Sequence, residues 1–204
     1  MKRIFTVISI CCIFSLTALA WPGKVTAGEV AVEVKKTVDA VVVIVTDNDL
    51  KKKQNGQKRR AALKQAIGRI FDYTEMARRS MGAHWKELTL VQQKEFTDLF
   101  ASLLENTYGG KIESYNNEKV LYGKESVEGT HAELESRVIT ARGNDYTLGY
   151  RLLRKEGRWM VYDVYIEGVS LISNYRTQFN KIFNERGYSE LVKKLRAKSA
   201  EQAE

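Results

Sequence analysis

Few side chains in this 204-residue chain are of a type and spacing to make or break bonds. Asp163 lies in the run Trp159-Met160-Val161-Tyr162-Asp163-Val164-Tyr165-Ile166, whose β-branched and aromatic content marks a buried strand. A carboxylate there could serve as a general base once burial raises its pKa and a partner orients it. The plainer reading is structural: Asp163 bonds to backbone or to an arginine and fixes the sheet edge. Strict alternation would point it away from Tyr162 and Val164. Glu167, beside Gly168 at the strand exit, reads as a cap or an arginine partner. The two histidines, His84 and His131, are far apart, and no His-x-x-x-His pattern exists, so no metal site is expected. His84, next to Trp85, reads as packing, and His131, near Gly129, as a surface residue. Gly109-Gly110 sits in a helical run, the wrong context for a phosphate loop, and no Gly-x-Ser-x-Gly elbow occurs. The residues predict no catalytic group, no metal and no cofactor.

What the chain offers in their place is aromatic and methionine side chains with little polar company: Phe71, Met76, Met81, Trp85, Phe96, Phe100, Tyr108, Tyr115, Tyr150, Trp159, Met160, Tyr162, Tyr165, Tyr175 and Phe179. Singly, each fits an ordinary core. Collectively, they could line a cavity if the fold leaves one.

The elements that must position these groups fall into two sets. Residues 29–46 carry Val30, Val34, Val38, Val41, Val42 and Val45 at helical spacing, although so many valines also permit a strand. Lys51 to Gly56 reads as a polar linker. Helices are expected over 57–71 and 74–81. Thr89-Leu90-Val91-Gln92 is a capping box that opens a long helix with the stripe Phe96, Leu99, Phe100, Leu103, Leu104 and Tyr108. Gly109-Gly110 should interrupt or kink it. The pattern then switches to period two. Val120–Tyr122, Ala132–Thr140, Tyr146–Arg154 and Arg158–Glu167 are four strands separated by glycine turns, which implies an antiparallel meander. Ser170 is placed to cap a last helix carrying Leu171, Ile172, Tyr175, Phe179, Ile182 and Phe183, which should stop near Gly187. Helices, then strands, then a closing helix is an α+β order.

The N-terminus reads as an export signal. Lys2 and Arg3 precede an apolar stretch to Ala20, and Ala18-Leu19-Ala20 and Val25-Thr26-Ala27 are small-residue cleavage sites. Cleavage is expected after Ala27, leaving a single domain over 28–204; a retained membrane anchor is the alternative. Cys11 and Cys12 both lie in the removed segment, so the mature chain would have no thiol chemistry. The net charge of +8, less Lys2, Arg3 and Lys24, becomes +5. The basic pairs and triplets, from Lys35-Lys36 to Lys193-Lys194, read as solvated helix faces. Export argues against a nucleic-acid partner.

Two blocks carry a family resemblance. One comprises Trp159, Tyr162-Asp163, Glu167-Gly168-Val169-Ser170 and the tail Gly187…Leu191…Leu195. The other comprises Phe71-Asp72, Met76-Ala77, Met81-Gly82, Trp85, Thr89 to Gln93, Phe96, Phe100, Leu103-Leu104 and Tyr108. In their order and spacing, over roughly residues 29–196, they resemble the MlaC-like, or toluene-tolerance, family of periplasmic phospholipid carriers. Leu90 stands where that family usually has proline, a departure that leaves Thr89 as cap. The resemblance implies an NTF2-like cone, with a curved four-stranded antiparallel sheet packed by N-terminal helices and a C-terminal helix. It implies a phospholipid ligand held in an apolar pocket. The partners implied are an inner-membrane ABC-transporter Mla complex and an outer-membrane Mla lipoprotein complex. The expected pocket residues are Met81, Phe100, Leu104, Tyr108, Tyr150, Tyr162, Val164, Val169 and Ile172. An NTF2-like enzyme acting on a small apolar substrate, with Asp163 as base, is the alternative.

Overall fold

Five strands form one antiparallel sheet in chain order: β1 (Lys119–Glu128), β2 (His131–Ile139), β3 (Asp145–Lys155), β4 (Arg158–Ile166) and β5 (Val169–Ser170). This is the computed structural model of the chain, and it describes residues 28–201. The expected signal peptide, with Cys11 and Cys12, lies outside the described residues. Four of the strands are those the period-two pattern marks. The fifth is two residues long and pairs Tyr165 with Ser170 and Ile166 with Val169, where the chain doubles back before the last helix.

The helices are α1 (Glu29–Thr46), α2 (Gly56–Gly68), α3 (Tyr73–Met81), α4 (Leu90–Glu113) and α5 (Leu171–Glu201). The valine-rich first segment is a helix, not a strand. Gly28 gives it no side-chain cap; the Glu125 carboxylate of β1 replaces one, accepting from the Ala31 N–H at 2.9 Å and the Val30 N–H at 3.4 Å. A Cβ on residue 28 would fall 2.1 Å from that carboxylate, so glycine is needed for the approach. The α4 box forms as written: Thr89 N–H donates to Gln92 Oε1 at 2.9 Å, and Gln92 N–H to Thr89 Oγ1 at 3.3 Å. Asp72 caps α3 by accepting from Glu75 N–H at 3.0 Å.

One expectation is corrected. Gly109 and Gly110 do not interrupt α4, which runs on to Glu113. Two glycines weaken a helix by only about 1 kcal/mol each, and neighbouring turns carry them through. The last helix does break at Gly187 (φ 74°, ψ −178°), as expected, and a second helical stretch follows at once, in which Leu191 and Leu195 are buried.

Two hydrophobic clusters hold these parts together. Met76, Met81, Phe96, Phe100, Leu103, Ile172, Tyr175, Phe179 and Leu191 unite α3, α4 and α5. Val30, Ala31 and Val34 of α1 pack with Ala132, Leu134, Leu152, Trp159, Val161 and Val164 of the sheet. A β-bulge in β4 decides which side chain joins which. Arg151 faces Asp163 while Leu152 faces Val161, so Tyr162 is the extra residue. Val161 and Val164 consequently share the α1 side of the sheet, and Tyr162 joins the helical cluster, with the Arg79 guanidinium 3.7 Å over its ring. The outer edge of β4 is covered as well, because Val161 N–H donates to Ile70 C=O at 2.7 Å and Asp72 N–H to Val161 C=O at 2.9 Å.

Candidate functional site

Between α1, α2, the C-terminal half of α4 and one end of the sheet lies a cavity of about 850 Å³. Its walls follow from the element positions. The α1 wall is Val34, Val38, Val41 and Val42; the α2 wall is Ala61, Leu63 and Ile67. Ile70, Phe71, Tyr73 and Met76 close the side towards α3, and Leu104, Tyr108 and Ile112 come from α4. The sheet supplies Val120, Val138, Leu148, Tyr150, Val161, Val164 and Ile166, and α5 adds Leu171. The same valine periodicity that makes α1 amphipathic therefore serves two purposes. Val30 fills core, Val34 both packs in the core and borders the hollow, and the half-buried Val38, Val41 and Val42 face the hollow.

The exposed wall residues mark the mouth of the cavity. They are Arg60, Ala61 and Lys64 on α2, Gly110 and Lys111 on α4, Tyr146 and Thr147 on β3, and Ile166 on β4. Charges cluster at this rim. Lys64 Nζ donates to Glu105 Oε2 at 3.0 Å, Arg59 and Arg60 both reach Glu113, and the Lys111 ammonium lies 5.7 Å from the Tyr108 ring centroid. Deeper in, the polar atoms are mostly phenols. Burial, with Tyr175 alongside, pushes Tyr108 up to about 12; burial likewise pushes Tyr150 up to about 12, against a hydrogen bond with Ser136. Tyr73 is raised by burial and by the charge of Glu105. These phenols stay neutral at physiological pH, so the interior carries no phenolate to repel an apolar ligand.

Of the nine expected pocket residues, Leu104, Tyr108, Tyr150 and Val164 line this cavity. The other five lie elsewhere. Met81, Phe100 and Ile172 fill the helical cluster, and Tyr162 is carried there by the bulge. Val169 is 62% exposed in the short β5. The residues that sequence reasoning missed are on α1 and α2. Their signal was present in the doubled valines at 41 and 42, which widen the apolar stripe beyond what a core-facing helix needs.

Asp163 does not line the cavity. It is buried, and its carboxylate is fully engaged: Val164 N–H donates at 2.9 Å, Ile172 N–H at 3.0 Å and the Ser170 hydroxyl at 2.6 Å. Ser170 Oγ in turn accepts from Ser173 N–H at 2.9 Å, capping the start of α5. Asp163 thus ties β4 to α5. Asp163→Asn should lower stability by about 1–3 kcal/mol through weakened charge-assisted bonds, with lipid content of the folded protein unchanged. Denaturant melts and lipid extraction on one preparation check this; an unshifted midpoint would remove the structural role. His84 stacks on Phe183 at 4.2 Å, and His131 is exposed. Among the described residues, no acidic, histidine or cysteine cluster could hold a metal.

The fold has counterparts. The family model described as MlaC protein matches residues 35–197, most of the chain. The chain belongs to the MlaC family. An MlaC-family relative in Haemophilus influenzae, the intermembrane phospholipid transport system binding protein MlaC, is 24% identical over 98% of this chain and 95% of its own. The toluene tolerance protein ttg2D of Pseudomonas putida is 24% identical over 62% of this chain and 60% of its own. Among solved structures, the phospholipid-binding protein of Ralstonia solanacearum, in complex with a phospholipid, superimposes with a TM-score of 0.77 at 32% identity. That match covers 85% of this chain and 98% of the other. The MlaC fold thus matches the α+β architecture expected from the element order.

Proposed function

We propose that this protein binds phospholipid by its acyl chains and carries it between membranes. The observation that supports the reading is the cavity of about 850 Å³ with predominantly apolar walls in an MlaC-family fold. Each acyl methylene taken out of water gains about 0.8 kcal/mol, so a diacyl lipid does not cross an aqueous space unaided. A hollow lined by valine, leucine and aromatic side chains offers the chains an environment close to the bilayer interior, while the phosphate stays among the charges at the mouth. Extraction from one bilayer and delivery to another then become nearly balanced exchanges that need no covalent step. Asp163, the one carboxylate weighed as a base, is spent on the β4–α5 junction.

The setting follows from the same reading. Export by the N-terminal signal places the mature chain in the periplasm. There it shuttles lipid between an outer-membrane Mla lipoprotein complex and an inner-membrane Mla ABC-transporter complex. Organic-solvent extraction of the protein recovered from the periplasm, followed by mass spectrometry, tests the cargo. Diacyl glycerophospholipids near one equivalent per chain are expected. A protein that carries only a small polar metabolite, or nothing, is not a lipid carrier. The intact mass of the same preparation should begin at Gly28.

A further inference from the structure

The strongest charge asymmetry of the chain lies beside the cavity. From Leu50 to Phe71 there are eight basic residues (Lys51 to Lys53, Lys58 to Arg60, Lys64 and Arg69) and no aspartate or glutamate. That segment carries +8, the net charge of the whole 204-residue chain, so the remainder sums to zero. The fold uses this segment as the turn after α1 and as α2, one wall of the cavity. Arg59, Arg60 and Lys64 are partly balanced by Glu113 and Glu105, and Lys52 by Asp49. Lys51, Lys53, Lys58 and Arg69 are exposed and make no ion pair among the described residues, and neither does Lys111 across the opening.

We propose that this basic segment seats the protein on an anionic phospholipid bilayer, with the cavity mouth turned towards the membrane. The proposal rests on the carrier reading and adds a docking surface to it. An acidic protein face would also attract the charge. A bilayer fits better, because Arg60 and Lys64 of this segment, with Lys111 of α4, line the cavity that a membrane lipid must enter. Tyr146 and Ile166 stand exposed on the rim of that opening, 45% and 39% accessible, where an apolar–polar boundary suits them. Each lysine near an anionic surface strengthens attachment about fivefold, and salt screens the effect within a Debye length.

The test uses protein recovered from the periplasm and two kinds of vesicle, phosphatidylcholine alone and phosphatidylcholine mixed with phosphatidylglycerol. Co-sedimentation at low salt should favour the phosphatidylglycerol vesicles and fall as salt rises. The triple variant Lys51→Gln, Lys53→Gln, Lys58→Gln, whose positions do not line the cavity, should bind those vesicles roughly 10²-fold more weakly. Its melting temperature and co-purifying lipid should match the parent. Equal binding to both vesicle types, or full binding by the triple variant, would overturn the proposal. So would absence of vesicle binding, which would assign the surface to an acidic protein. A parent protein that carries no lipid would sink the carrier reading separately, whatever the vesicles show.

Discussion

Phe100→Ala is expected to lower stability by about 3–5 kcal/mol and to leave bound lipid in place. Phe100 is fully buried, and its ring meets those of Tyr175 at 5.1 Å, Phe179 at 5.3 Å and Phe96 at 5.9 Å, the first two edge-on. Truncation removes both the apolar burial and three ring contacts, and the rigid helices around it cannot collapse into the gap. For a chain of this size, the melting temperature should fall on the order of 10 °C. The second half of the expectation discriminates. Phe100 belongs to the cluster of α3, α4 and α5 and not to the cavity wall, so lipid measured well below the transition should equal that of the parent. A variant that melts normally but has lost its lipid would put Phe100 against the ligand and displace the cavity described above.

Val41→Glu should have the opposite signature. Val41 is half-buried and faces the cavity from α1. In the unloaded protein, a carboxylate there can be hydrated through the mouth, so the fold should survive. With acyl chains in place it would be stripped of water, at a cost large enough to cut loading by roughly 10²-fold. The pH dependence has a definite sign. Loading favours the neutral acid, so the loaded state raises the pKa of the new carboxyl, and lipid should return as pH falls towards and below that value. Val41→Leu, neutral and similar in shape, should load normally. At Val169, which is 62% exposed, glutamate should have no effect on loading. Lipid-to-protein ratios by mass spectrometry across a pH series measure all three. Undiminished lipid in a folded Val41→Glu protein at neutral pH would separate the cavity from the ligand.

The sequence made the elements legible where one local rule acted alone. The Thr89–Gln92 box, the four strands between glycine turns and the α4 stripe are all written within a few residues and appear as read. It was less informative where two rules competed. Valine-rich α1 satisfied both helix and strand templates, and only the sheet packing against Val30 and Val34 decides between them. Five of the nine expected pocket residues lie outside this cavity, and for Tyr162 the reason is specific. A single inserted residue in β4, at Tyr162, reverses the facing of everything beyond it, and no side-chain type announces a bulge. Tyr162 and Val164, assigned to one surface by plain alternation, therefore end on opposite sides. Met81, Phe100 and Ile172 look from sequence like any apolar wall; whether such a residue faces packed atoms or empty space is a tertiary fact.

The size of the hollow has a thermodynamic corollary. Apolar cavity left unfilled costs about 24 cal/mol per Å³, so roughly 850 Å³ held dry and empty would cost about 20 kcal/mol. That exceeds the whole stability of an ordinary domain, about 5–15 kcal/mol. An unloaded chain cannot keep this shape with vacuum inside: it must admit water through the mouth or let the half-anchored α1 settle onto the sheet. Lipid is in that sense the missing third layer of the fold. Filling and emptying the hollow therefore changes either its water content or the position of its wall.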